Sequence, residues 1–328
     1  MVEVVDVATQ DELITKSTYE LGCDICAGFN NKPKQISAKY FYDEYGSELF
    51  DLITRHPDYY LTAAELEILN TYKSTFTAWL RNDIFNLIEL GPGEGIKTKI
   101  FLEQFEHEKR AFNYLPVDIS KKYLQNIANQ FESLLNSMTL INTDYFDDLT
   151  WIKSHSDKQN FVLFLGSSIG NFSLLQAEQF FKKLHDNLNA GDLVLIGFDL
   201  RKEIETLMRA YNDSDGLTRA FNFNLLARLN RELYADFNLD KFKHYPTYNF
   251  YTNAMESFLV SVTAQRVNFA KLNQSYFFDE FEPIHVESSH KYSMAQIEQF
   301  AQVAGFEVAQ HYFDSRRYFV DSLWRVKK

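Results

Sequence analysis

With 328 residues, 45% of them hydrophobic and 24% charged, the chain has room for one large domain or two modest ones and has the composition of an ordinary globular protein. A formal net charge of −12 argues against a nucleic-acid partner, whose phosphates demand a basic face. No apolar run reaches membrane-spanning length and no basic, apolar leader opens the chain, so a cytoplasmic protein without membrane contact is expected; a monomer is the separate expectation for its assembly.

Residues 11–29 read as a helix that carries Cys23 and Cys26 as its single C-x-x-C. Zinc would need two more ligands, and neither a second cysteine pair nor an H-x-x-x-H exists, so the pair is read as buried and structural and no metal is expected. Thirty Phe and nineteen Tyr stand out, and several cluster early: Tyr40, Tyr42, Tyr45 and Phe50, then Tyr59 and Tyr60. Thr62-Ala63-Ala64-Glu65 reads as a capping box opening a helix whose apolar face is Leu66, Leu69, Tyr72, Phe76 and Trp79.

An apolar run at 84–90 then feeds the turn Gly91-Pro92-Gly93-Glu94-Gly95, and Lys97 starts a helix. Strand, glycine turn and helix form the first half of a βαβ nucleotide site. The spacing is not G-x-G-x-x-G, because position 96 is Ile, and Glu89 at the strand end would repel a pyrophosphate. An acid there suits a cationic ligand such as S-adenosylmethionine, which carries an ammonium, a sulfonium and no phosphate.

Further strand-and-helix pairs follow. The strand at 112–118 ends in Asp118, placed to accept from two ribose hydroxyls, and Ser120 caps the next helix. The strand at 138–142 leads to Asp144 and Tyr145, candidates for the adenine amine and ring. The strand at 161–165 runs into Gly166-Ser167-Ser168-Ile169-Gly170-Asn171, and a fifth strand spans 193–199. Such alternation predicts a parallel sheet covered on both faces, with ligands across the carboxyl ends of the strands. Past Asp199, residues 203–232 read as helical, 257–269 as one antiparallel strand, 294–304 as a helix, and 306–313 with 318–326 as a terminal hairpin.

The expected fold is therefore α/β: a class I methyltransferase, Rossmann-like parallel sheet with a C-terminal antiparallel hairpin and an inserted α+β substrate subdomain. Residues 11–63, 83–200 and 290–328 are assigned to the S-adenosylmethionine domain, and 64–82 with 201–289 to the substrate subdomain.

The blocks Tyr40-Phe41-Tyr42-Asp43, Gly46-Ser47-Glu48-Leu49-Phe50, Pro57-Asp58-Tyr59-Tyr60, Gly166 to Asn171, Ala210-Tyr211-Asn212-Asp213 and Glu287-Ser288-Ser289-His290-Lys291 occur in one order along nearly the whole chain. In that order they resemble the L-histidine Nα-methyltransferases of ergothioneine biosynthesis. The resemblance implies S-adenosylmethionine as cofactor, held by Gly91, Gly93, Gly95, Lys97, Asp118 and Asp144, and Glu89 and Tyr145 join them from their places at the strand ends. It implies a free amino acid as substrate, its carboxylate and amine on Asn171, Tyr59 and Tyr211, with Tyr42 beside the amine as the catalytic group. Phe50 and Gly166 line the same place, and Glu287 and Ser289 read the imidazole. Ser257 stands where that family usually packs a Met on the imidazole, which opens tryptophan or tyrosine as an alternative to histidine. A non-catalytic S-adenosylmethionine-binding protein is the other reading.

Overall fold

The computed structural model describes residues 2–5, 10–81, 83–132, 137–144, 149–154 and 158–327. In chain order the elements begin with β1 (Val2–Val5), α1 (Gln10–Phe29), β2 (Lys34–Gln35), α2 (Glu44–Arg55) and α3 (Tyr60–Thr77). The alternating part follows: β3 (Phe85–Leu90), α4 (Ile96–His107), β4 (Phe112–Asp118), α5 (Lys121–Phe131), β5 (Met138–Asn142), α6 (Trp151–Ser154), β6 (Gln159–Phe164), α7 (Leu174–Asp186) and β7 (Leu193–Asp199). Then come α8 (Ile204–Ala210), α9 (Leu217–Leu233), β8 (Phe242–Asn249), β9 (Ala254–Ser261), β10 (Gln265–Phe269), β11 (Gln274–Phe278) and β12 (Pro283–His290). The chain closes with α10 (Met294–Ala304), β13 (Phe306–Phe313) and β14 (Phe319–Val326).

Contacts divide the chain into two compact units, one of residues 1–6, 61–201 and 291–328 and the other of 7–60 and 202–290. The first holds an eight-stranded sheet in the order β1-β5-β4-β3-β6-β7-β14-β13. The β1, β5, β4, β3, β6 and β7 strands pair in parallel, and β14 and β13 run antiparallel. This is the expected architecture with a sixth parallel strand, Val2–Val5, added at the edge. Every residue of β3 and of β7 is buried, as a parallel sheet covered on both faces requires. Alternate residues serve the two faces. Ile88, Val162, Val194 and Ile196 join a core with α7 and α10, in which Phe181 lies 5.7 Å from Phe300 and 4.8 Å from Trp324. Phe161 meets Phe101 of α4 at 6.0 Å, and Phe101 meets Phe76 of α3 at 5.7 Å. Ser120, Ser173 and Ser293 each accept from a backbone N–H of the helix they open, the last two in full capping boxes with Gln176 and Gln296.

The second unit packs α1, α2 and α9 over the sheet β2-β12-β9-β8, with the β10-β11 hairpin beside them. Its core is aromatic: Phe41 stacks on Phe221 at 4.6 Å, and Phe29 meets Phe269 edge-on at 5.9 Å.

Four expectations change. The segment before residue 60 belongs with residues 202–290, because the apolar stripes of α1 (Leu21, Ile25, Phe29) and α2 (Leu49, Ile53) share a core with Leu225, Leu226 and Leu229 of α9. The 64–82 segment belongs to the first unit, because α3 lays Phe76 on Phe101 and Tyr312. The single strand at 257–269 breaks after Ser261. β9 pairs with β12 and β8, while β10 pairs with β11. Cys23 is exposed and Cys26 half-buried, since both lie beside the Leu21–Ile25–Phe29 stripe and not on it.

Candidate functional site

In the first unit the strand order places β3 beside both β4 and β6, so successive connections leave β3 on opposite sides. The crevice outside the carboxyl ends of β3 and β6 is the topological switch point, where open α/β sheets take their ligands. The glycine turn and the Gly166 loop are the two segments that leave those strand ends.

All three turn glycines have positive φ: Gly91 at 70°, Gly93 at 56° and Gly95 at 75°. They serve different needs. A Cβ on Gly95 would lie 2.6 Å from Ile127 Cδ1 and 2.8 Å from Phe131 Cε2, so this glycine lets α4 pack on α5. A Cβ on Gly93 would meet nothing within 4 Å, so its backbone borders open space that a ligand can occupy. Gly91 N–H donates to Val117 O at 2.8 Å and fixes the turn to β4.

The sequence-selected acids fall into two situations. Glu89 is sealed inside, and its Oε2 accepts from Thr98 Oγ1 at 2.7 Å and Tyr114 OH at 2.6 Å. Burial raises its carboxyl above the usual range and those two donors oppose the rise. Asp118 ends β4 and accepts from Ser120 N–H at 2.7 Å. Burial pushes its carboxyl up to about 7, against the pull of the Ser120 and Ile119 N–H groups. Asp144 follows β5 and is half-buried; Tyr145 lies outside the described residues.

The loop after β6 is held from three sides. Gly166, at φ 81°, donates its N–H to both carboxylate oxygens of Glu65, at 2.8 and 3.0 Å. Ser167 Oγ accepts from Asp199 N–H at 3.0 Å, and Tyr292 OH donates to Ile169 O at 3.0 Å. Asn171 ends the short 3-10 turn Ser168–Asn171 and is exposed, on a loop whose stem makes these hydrogen bonds. Asp199 pairs with Lys291 at 2.9 Å, both fully buried. Lys97, in the first turn of α4, pairs with Glu65.

In the second unit the selected aromatics form a row. Tyr42 and Phe50 lie 5.5 Å apart, Phe50 and Tyr59 6.3 Å, and Tyr59 and Tyr211 6.4 Å, all edge to face. Asp58 Oδ2 accepts from Ser214 N–H at 3.2 Å, which ties the segment of Tyr59 to that of Tyr211. Tyr211 OH donates to Ser289 Oγ at 2.7 Å. Ser257 on β9 stands opposite Glu287 on β12, and its Oγ donates to Glu287 Oε2 at 3.4 Å.

That pairing depends on a β-bulge. Ile284 pairs with Leu259 and His285 with Phe258, but Glu287 pairs with Ser257 because the register shifts between them. An extra residue reverses the side-chain alternation, so Glu287 and Ser289 face the same way as Ile284, Leu259 and Ser257. The polar pair thus stands with Ser257 on the face that carries Ile284 and Leu259.

Sequence reasoning missed Glu65, Asp199 and Tyr292, none of which stands in a recognisable ligand motif. A buried acid inside an otherwise apolar helix face was the available signal for Glu65.

The sequence pattern of a family described as "Histidine-specific methyltransferase, SAM-dependent" matches residues 21–326. The chain is similar to a histidine N-alpha-methyltransferase of Mycobacterium tuberculosis, with 36% identity over 271 residues, 82% of this chain and 83% of that protein. It is 37% identical over 273 residues to a histidine N-alpha-methyltransferase of Mycolicibacterium smegmatis, with the same coverage of 82% and 83%. It is also similar to ergothioneine biosynthesis protein 1 of Neurospora crassa, at 34% identity over 202 residues, 60% of this chain and 23% of that protein.

Proposed function

The chain belongs to the histidine-specific, S-adenosylmethionine-dependent methyltransferases, and on that premise we propose that it methylates the α-amino nitrogen of free L-histidine, through to Nα-trimethylhistidine. The observation that carries the choice of histidine is the bulge-set pair Glu287 and Ser289. A carboxylate and a hydroxyl on one face of the sheet match the two nitrogens of an imidazole and no apolar side chain.

Bound S-adenosylmethionine supplies an electrophilic methyl on a sulfonium. The residues fit that cofactor: open space at Gly93, an acceptor at the end of β4 in Asp118, and Asp144 after β5. Tyr145 is assigned to the adenine ring on sequence grounds alone. Asn171 suits the α-carboxylate and amine because an amide both donates and accepts. Tyr42 orients the amine so that its lone pair is available, and water carries away the proton that the amine loses. Tyr42, Phe50, Tyr59 and Tyr211 offer ring faces to an ammonium that has lost its N–H donors, at about 0.5–2 kcal/mol each.

The test is S-adenosylhomocysteine release with each of the twenty amino acids. Histidine is expected to be turned over fastest, and faster turnover of tryptophan or tyrosine would overturn the substrate assignment.

A pH dependence follows from Asp118. Its carboxyl holds a proton up to about pH 7, and only the ionised form accepts from both ribose hydroxyls. Affinity for S-adenosylhomocysteine should therefore rise about tenfold between pH 6 and pH 8. Calorimetry should show the same affinity at both values once Asp118→Asn removes the titration.

A further inference from the structure

Glu65 stands in the second turn of α3, and its residue is 1% exposed. Its carboxylate has room against the sheet because β7 carries Gly197, where a Cβ would sit 2.3 Å from Glu65 Oε1. A carboxylate so enclosed persists only where its oxygens are paired and hydrogen-bonded. Both oxygens take the Gly166 N–H, and Oε2 also pairs with the Lys97 ammonium. Lys97 Nζ lies 3.1 Å from where a Cβ on Gly166 would be, so the two partners are themselves adjacent. Asp321 of β14, opposite Gly197 in register, is fully buried beside them. Burial, and then the Glu65 charge, hold the Asp321 carboxyl well above the usual range.

One carboxylate thus grips two segments that leave neighbouring strand ends at the switch point. One is the first turn of α4, which follows the glycine turn; the other is the loop that runs to Asn171. We propose that Glu65 is a positioning residue that fixes the Lys97 ammonium and the Gly166 loop in one arrangement, and so sets the binding geometry for both cofactor and amino acid. The inference rests on the methyltransferase reading of those two segments.

The test compares Glu65→Gln, Lys97→Met, the double variant and Gly197→Ala in the full chain. Calorimetry reads S-adenosylhomocysteine affinity, steady-state kinetics reads kcat and KM for histidine, and thermal melting reads folding. Glu65→Gln should weaken S-adenosylhomocysteine binding by about tenfold and raise the histidine KM, even where its melting temperature is near that of the wild type. Gly197→Ala, which pushes the Glu65 carboxylate aside without removing it, should reproduce both changes. The double variant should bind no more weakly than Lys97→Met alone, since carboxylate and ammonium act as one unit. Wild-type affinity for either ligand in Glu65→Gln would overturn the proposal, as would losses that multiply in the double variant. If Glu65→Gln does not fold, the charge-balanced double variant measured against Lys97→Met decides. A wild-type chain that binds S-adenosylhomocysteine but leaves histidine unmethylated would sink the substrate reading instead, and the calorimetric comparison would then decide for Glu65 alone.

Discussion

Glu287→Ala is expected to lower kcat/KM for histidine by about 10- to 150-fold, the cost of one lost hydrogen bond to a charged group. The carboxylate faces inward only because of the bulge after His285, and its Oε2 already accepts from Ser257. Its removal leaves Ser257 and any imidazole N–H that pointed at it without that acceptor. Ser289 keeps its bond from Tyr211, so the aromatic row should stay in place and the loss should be confined to substrates with a ring N–H to offer. Affinity for S-adenosylhomocysteine should be unchanged. A loss of equal size for tryptophan would mean that Glu287 supports the strand pair and does not read the side chain.

Lys291→Met carries the largest expected effect on stability. Lys291 and Asp199 are both fully buried and pair at 2.9 Å. Removing one partner strands a charge in a medium that cannot solvate it, at about 3–5 kcal/mol. The damage should spread to function, because the Asp199 backbone N–H also holds Ser167 at the stem of the loop that carries Asn171. Urea unfolding of Lys291→Met should show that loss. The double variant Lys291→Met/Asp199→Asn should recover most of it, since no unpaired charge remains. If the two single losses simply added, the pair would not be the cause.

The first unit was legible because its strands announce themselves. Each parallel run from β3 to β7 is a short apolar stretch that closes on glycine, acid or amide, and the helices between them open on Ser120 and Ser173. Positions at strand ends could therefore be named before their geometry was known. Glu65 reads in the sequence as the last residue of a capping box, but α3 already starts at Tyr60, and the acid points toward the sheet where Gly197 leaves room. Local spacing cannot reveal a partner more than a hundred residues away. The break after Ser261 was hidden because period-two alternation continues through 265–269 while the hydrogen-bond partner changes. The bulge that turns Glu287 inward was hidden for the converse reason: alternation across 284–289 places Glu287 outward unless one residue is left over. Ser257 and Glu287 could be named from family blocks, but their opposition across a strand pair belongs to the register.

The most direct measurement of the central claim is fragmentation mass spectrometry of histidine after incubation with the chain and excess S-adenosylmethionine. The expected product carries three methyl groups, all on the α-nitrogen, with an unmodified imidazole. Methyl groups on a ring nitrogen, or histidine recovered unchanged while another amino acid is methylated, would contradict it.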